Sequence, residues 1–220
     1  MKKVKRNTVK EVLNFFKTRG MIEDREFKIK IGHRALNFAC GWEIGSTYSE
    51  VIVPNYLGNE DEFENKLIMF ILRYFKNYGI DYEKFMEDND LDFYEFVFLS
   101  FLLHEIGHMN LGYNEYKRYG IMKTSESTRE KFKAFRIGTK SARYKDKCNW
   151  DKFWKTEIKY RQLKGERYSD KFACDMLKVY GKELADIVRG EAYFEIGEEV
   201  ANSIQTPFES LVKSVYESFY

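Results

Sequence analysis

Asp92-Phe93-Tyr94-Glu95-Phe96-Val97-Phe98-Leu99-Ser100-Phe101-Leu102-Leu103-His104-Glu105-Ile106-Gly107-His108 is the stretch on which the reading of this chain turns. Between Phe93 and Leu103 only Tyr94, Glu95 and Ser100 are polar, so a helix here is apolar nearly all round and belongs in the centre of a domain. Asp92 and Glu95 have capping-box spacing, with Asp92 standing where Ser or Thr is usual. The segment is too short and too interrupted to span a bilayer. On a helix His104 and His108 stand one turn apart on one face, where both imidazoles reach a single ion. Glu105 points slightly aside, placed to take a proton from water that the ion has acidified. This is the layout of a zinc hydrolase. Burying two histidines in an apolar helix is costly without a partner, and a metal is such a partner. The rival is a pair of core histidines bonded to backbone.

Composition sets the frame. A chain of 220 residues with 17% aromatic and 33% charged residues and no low-complexity tract reads as one soluble globular domain over residues 1–220. The net charge of +2 points to no polyanionic partner. Lys2, Lys3, Lys5, Arg6 and Lys10 make the N-terminus basic, without the apolar core of a signal peptide behind them, and no later segment reads as transmembrane. Cys40, Cys148 and Cys174 are widely spaced, with no CxxC. They read as free thiols in a reducing, cytoplasmic setting, against a disulfide framework or a cysteine-based zinc site.

From the start of the chain, Thr8 and Glu11 form a capping box ahead of Val9, Val12, Leu13 and Phe16, an amphipathic helix that Gly20 stops. The period then changes to two. Phe27, Ile29 and Ile31 alternate with Lys28 and Lys30; Leu36, Phe38, Cys40, Trp42 and Ile44 form a second run, and Val51 to Val53, ended by Pro54, a third. Turns at Gly32-His33 and Gly45-Ser46 make this a three-stranded antiparallel meander. A helix follows from Glu60, with Phe63, Leu67, Phe70, Ile71 and Tyr74 on one face. The HExxH helix is expected to end near Gly112.

Lys131 to Lys164 is strongly basic, and only Asp146, Asp151 and Glu157 offset it. It reads as a solvated helical or loop excursion at about 124–164, or else as a basic surface for an acidic substrate or nucleic acid. A helix begins around Glu166 and another covers Glu191 to Ile204. Thr206, Pro207 and Glu209 open a last helix whose stripe of Phe208, Leu211, Val212, Val215 and Phe219 packs on the core. The fold class expected is α+β: mostly helical, a small three-stranded antiparallel sheet, and a central buried HExxH helix.

Catalytic zinc takes three protein ligands as a rule and keeps a position for water. The extended HExxHxxGxxH pattern is excluded, because positions 111 and 114 are Leu111 and Asn114. His33 is the only histidine left, so a carboxylate is the better third ligand. Glu166 and Asp170 lie one helical turn apart, with Ala173 and Leu177 continuing the face. One can bind the ion while the other accepts the Nδ1–H of a ligand histidine. Glu130 and Glu157 compete, without a second acid one turn on and an apolar run after it.

His104-Glu105-Ile106-Gly107-His108 together with Glu166-Arg167-Tyr168-Ser169-Asp170-Lys171-Phe172-Ala173-Cys174-Asp175-Met176-Leu177 resembles the gluzincin pattern, and in particular the compact ImmA/IrrE-type metallopeptidases. The resemblance covers the central helix and the Glu166 helix, with a small sheet upstream. It implies a minimal zincin-like fold, His104, His108 and Glu166 as zinc ligands, Glu105 as general base and Asp170 behind the ligands. It also implies a protein or peptide substrate, in that family often a repressor or other regulatory protein. Ser169 stands where the family favours Ala, no proline follows Leu177, and the segment from His108 to Glu166 is long and basic. No helix-turn-helix signature is present.

The reaction expected is zinc-dependent peptide hydrolysis with Tyr160 or Tyr168 as a further donor to the oxyanion and an edge strand to hold substrate. The alternative is a non-catalytic interaction protein whose metal site is structural or decayed. A deformylase-like enzyme with a cysteine ligand fits less well, since Leu103 precedes His104 and Cys40-Gly41 lacks that class's flanking motif. A nucleic-acid binder would rest on the basic stretch alone, and neither membrane nor nucleic acid is expected as a partner.

Overall fold

The computed structural model describes residues 2–32, 39–41, 48–54, 56–57 and 62–195. In chain order these form β1 (Lys2–Val4), α1 (Arg6–Thr18), β2 (Glu26–Gly32), β3 (Ala39–Gly41), β4 (Tyr48–Pro54), β5 (Tyr56–Leu57), α2 (Glu62–Asn77), α3 (Tyr82–Asn89), α4 (Phe93–Tyr119), α5 (Ile121–Asp146), α6 (Trp150–Arg161), α7 (Lys164–Val188) and β6 (Tyr193–Glu195). The described part is mostly helical with small sheets, as the sequence indicates. No helix among the described residues is long and apolar enough to cross a membrane.

α4 is the axis. Asp92 caps it as its spacing predicts: Glu95 N–H donates to Asp92 Oδ1 at 2.9 Å, and Asp92 N–H donates to Glu95 Oε2 at 3.0 Å. Phe96, Phe98, Leu99, Leu102, Leu103 and Ile106 are fully enclosed, so the apolar run is buried on every side. The helix does not stop near Gly112 but continues to Tyr119, and Gly120, at φ +62°, ends it. α7 packs along α4. α1 and α3 lie against α7, and Phe16 meets Phe172 with ring centroids 5.8 Å apart. α1 begins at Arg6 rather than at a Thr8 cap, because Thr8 is buried and its hydroxyl donates to the carbonyl of Glu191. Gly20 ends the turn after α1 in the left-handed region, where a side chain would be strained.

The sheet of β2, β3 and β4 is mixed, which corrects the antiparallel meander. Its order is β2-β4-β3, with β2 and β4 parallel from Glu26↔Tyr48 to Gly32↔Pro54 and β3 antiparallel to β4. Burial explains the order. β4 carries the enclosed Val51 and Val53 and takes the centre, while Lys28 and Lys30 give β2 a solvated face suited to an edge. Polar contacts favour that pairing: Lys30 Nζ lies 2.7 Å from Glu50 Oε1, and Lys28 Nζ stands 3.4 Å from the centroid of the Tyr48 ring. His33, Leu36, Phe38, Trp42 and Ile44 lie outside the described residues.

A second sheet, order β5-β1-β6, was not expected. It replaces the start of the helix read over Glu191 to Ile204. Gly190 at φ +68° breaks the helical path, and β1 offers a partner with Val4 opposite Tyr193 and Lys3 opposite Phe194. The helix read from Thr206 onward lies outside the described residues. The basic excursion is a helical hairpin, α5 packed on α6.

The cap predicts a simple outcome. Asp92→Ala removes an N-cap acceptor and lowers stability by about 1 kcal/mol, read as a fall in the thermal midpoint with helix content unchanged.

Candidate metal centre

Two helices bring the site together, and a glycine sets their distance. A Cβ built on Gly107 would lie 2.8 Å from Ser169 Cα and 3.2 Å from the Ser169 carbonyl oxygen, so α4 and α7 meet backbone to backbone. Ser169 is fully buried. At this crossing His104, about one turn before Gly107, and His108, next to it, face the acids of α7. His104 Nε2 is 3.2 Å from His108 Nε2 and 3.2 Å from Glu166 Oε2, and His108 Nε2 is 3.5 Å from Glu166 Oε1. The three residues form the one His/Cys/Asp/Glu group among the described residues with metal-holding geometry.

The spacing suits an ion. Zinc bonds of about 2.0–2.1 Å to nitrogen and oxygen at tetrahedral angles place ligand atoms roughly 3.4 Å apart. Two imidazoles and one carboxylate are also the donor set of catalytic zinc sites.

Asp170 orients the first histidine. Its Oδ1 lies 2.8 Å from His104 Nδ1, and the carboxylate accepts only, so Nδ1 carries the proton and Nε2 faces Glu166 and His108. Burial opposes charge on His104, but its hydrogen bonds to Asp170 and Glu166 prevail and push its pKa up to about 9. Glu166 is the converse. Burial opposes its charge too, yet the hydrogen bonds from His104 and His108 hold its carboxyl well below the usual range. In the metal-free protein a proton on His104 thus supplies the positive charge that Glu166 and Asp170 demand.

α6 supplies a residue the sequence did not single out. Arg161 Nη1 lies 3.0 Å from Asp170 Oδ1 and 3.9 Å from Glu166 Oε2, so a buried guanidinium backs the acids of α7. Burial works against its charge, and Asp170 and then Glu166 more than restore it. Its place in a run of solvated cations hid it. The signal was the stripe Phe153, Glu157, Tyr160 and Arg161, a helical face running through the basic segment. That segment is therefore only partly a solvated excursion.

The cavity over the site measures about 190 Å3. Glu105 lines it beside His104, while Leu67, Ile71, Phe75 and Phe101 form an apolar wall and Glu157, Tyr160 and Arg161 close the α6 side. Of the competing acids, Glu130 is exposed on α5, away from the ligand group. Glu157 reaches the cavity but accepts the Ser141 hydroxyl, and burial raises its pKa. Tyr160 hydrogen-bonds Glu166, and burial first, then the charge of Glu166, pushes its phenol pKa up, so it stays a donor. Tyr168 instead donates to Asn110 Oδ1 at 2.5 Å. Cys174 is buried near Asp170, and burial pushes its thiol up to about 12.

No protein-family model matches the sequence, and neither the curated proteins nor the solved structures give a match.

Two outcomes follow from the geometry. Gly107→Ala forces α4 from α7, costs about 1–3 kcal/mol as overpacking does, and would weaken any uptake of a metal ion by the cluster. Ser169→Ala, which deletes a buried hydroxyl without a hydrogen bond, leaves both intact. The pH dependence has a definite sign. The His104 contribution is present below its unfolded value of 6.5 and is lost as pH rises through about 9. The Glu166 contribution is present above 4.5 and is lost as pH falls below it. Thermal melts in chelator should therefore decline between about pH 6.5 and 9, and saturating zinc, which displaces that proton, should remove the decline.

Proposed function

We propose that this chain is a zinc-dependent metallopeptidase of the gluzincin type, acting on a protein or peptide substrate. One observation carries the reading: His104, His108 and Glu166 each offer a ligand atom, all within 4.8 Å of one another, with Glu105 on the wall of the same cavity. A bound zinc ion would supply Lewis acidity there, polarising a carbonyl and bringing the pKa of water toward neutrality. Glu105 accepts the proton of the attacking water and passes it to the leaving amine. Tyr160, kept protonated by burial, would turn its one O–H from Glu166 to the oxyanion that develops on the carbonyl. Asp170 fixes the His104 tautomer, and Arg161 balances the acids behind the site. The apolar wall keeps bulk water from the reacting atoms. β3, at an edge of its sheet and packed on α4, is suited to hold an extended backbone.

A structural zinc site is closed by four protein ligands, whereas three donors beside an accessible cavity favour catalysis. The resemblance to ImmA/IrrE-type enzymes supports a regulatory protein as substrate. Three cysteines, none in a disulfide, suit a cytoplasmic setting.

Metal analysis of the purified protein tests the site: about one zinc per chain, lost or much weakened in Glu166→Ala, is expected. Absence of zinc, with none taken up on addition, would sink the reading. Glu105→Gln should retain the metal and lose turnover; a variant as active as the parent would exclude Glu105 as the base.

A further inference from the structure

The metal cavity is not the only hollow between α2 and α6. A groove of about 500 Å3 lies along the same two helices, lined by Asn65, Lys66, Met69, Phe70, Arg73 and Trp154. On α2, Leu67 and Ile71 face the metal cavity, and Met69, Phe70 and Arg73 face the groove. On α6, Trp154 stands one turn before Glu157 and two turns before Arg161, so the groove continues the cavity along one helical face. Phe70 and Trp154 meet there, with ring centroids 5.2 Å apart.

Volume separates the roles of the two hollows. Sites that enclose small ligands measure about 300–1,000 Å3. The metal cavity, at about 190 Å3, holds little beyond a reacting peptide group, whereas the groove, at about 500 Å3, has room for a large side chain. The chemistry of the groove is equally defined. Its floor is aromatic and thioether, and the Met69 thioether adapts to more than one apolar shape. Its rim is cationic. Arg73 is exposed and makes no hydrogen bond or ion pair among the described residues. No acid among the described residues lines the groove.

We propose that this groove is a specificity subsite for a peptide carrying a bulky apolar residue, leucine or phenylalanine, adjacent to an acidic one. The apolar side chain sits against Phe70, Met69 and Trp154, and the acidic neighbour pairs with Arg73. This rests on the peptidase reading for the role of the adjoining cavity, and on continuity and charge for the occupant.

The test uses the full chain as the zinc-loaded Glu105→Gln protein and blocked, fluorescein-labelled alanine-rich peptides. One set contains Leu-Glu or Glu-Leu, a second replaces Leu by Ala, and a third replaces Glu by Lys. Anisotropy titration should show the Leu/Glu peptides binding roughly tenfold or more tighter than either control. Trp154→Ala should erase the preference for Leu, Trp154→Phe should keep it, and Arg73→Glu should invert the preference for Glu over Lys, all at unchanged zinc content. Equal binding of the three sets, no binding of any, or variants that leave the preferences untouched would overturn the subsite. Hydrolysis of the same peptides by the unsubstituted chain separates the two inferences. Cleavage without preference rejects the groove and keeps the peptidase. Selective binding without cleavage keeps the groove as a peptide site and rejects the peptidase.

Discussion

The backbone contact between Gly107 and Ser169 is the constraint on which the site depends. α4 carries the imidazoles and α7 the carboxylates, and neither set reaches the other unless the helices lie closer than ordinary side chains allow. Glycine inside a helix costs roughly 1 kcal/mol relative to alanine, so its place in HEIGH is unfavourable locally and is offset only by what the close approach permits. Ser169 obeys the same limit from the other side. A small residue is required, and serine satisfies the space although its hydroxyl finds no hydrogen bond there.

Around that contact the fold concentrates charge where charge is hard to keep. Glu166 and Asp170 are almost wholly enclosed, and isolated carboxylates in such a place would be neutralised. Arg161 answers one part of this demand from α6, and His104 answers the other from α4, as a protonated ring or as the ligand of a cation. The surrounding phenylalanines and leucines make these interactions strong by excluding water, and make the loss of any one partner severe.

How much of this could be read beforehand follows from the range of each interaction. The α4 cap and its all-round burial were legible because they are local: Asp92 and Glu95 are three residues apart, and the apolar run has no polar face. The pairing of His104 with Glu166 and Asp170 was legible through chemical type, since few residues suit a zinc ligand. Strand order was not, because two strands alternating alike can pair either way, and the choice of β4 as centre lies in its burial by distant helices. α3 escaped notice for a related reason: only Tyr82 within it is buried, leaving no stripe to see. Arg161 was obscured by its own neighbourhood, a cation among cations whose difference is a partner nine residues on. The second sheet lay beyond reading altogether. β1, β5 and β6 are two or three residues each, shorter than any periodicity can reveal.

That second sheet bears on the order in which the molecule assembles. β1 lies between β5 and β6, so residues 2–4 gain their second neighbour only once residues 193–195 have been made. During synthesis the first strand waits for nearly all the described chain, and loop closure over that span is an entropic cost met late. The pairing of α4 with α7 needs nothing beyond residue 188 and so does not depend on this closure. The buried charge cluster is thus built from chain that lies wholly between β1 and β6, and its assembly does not wait on their pairing.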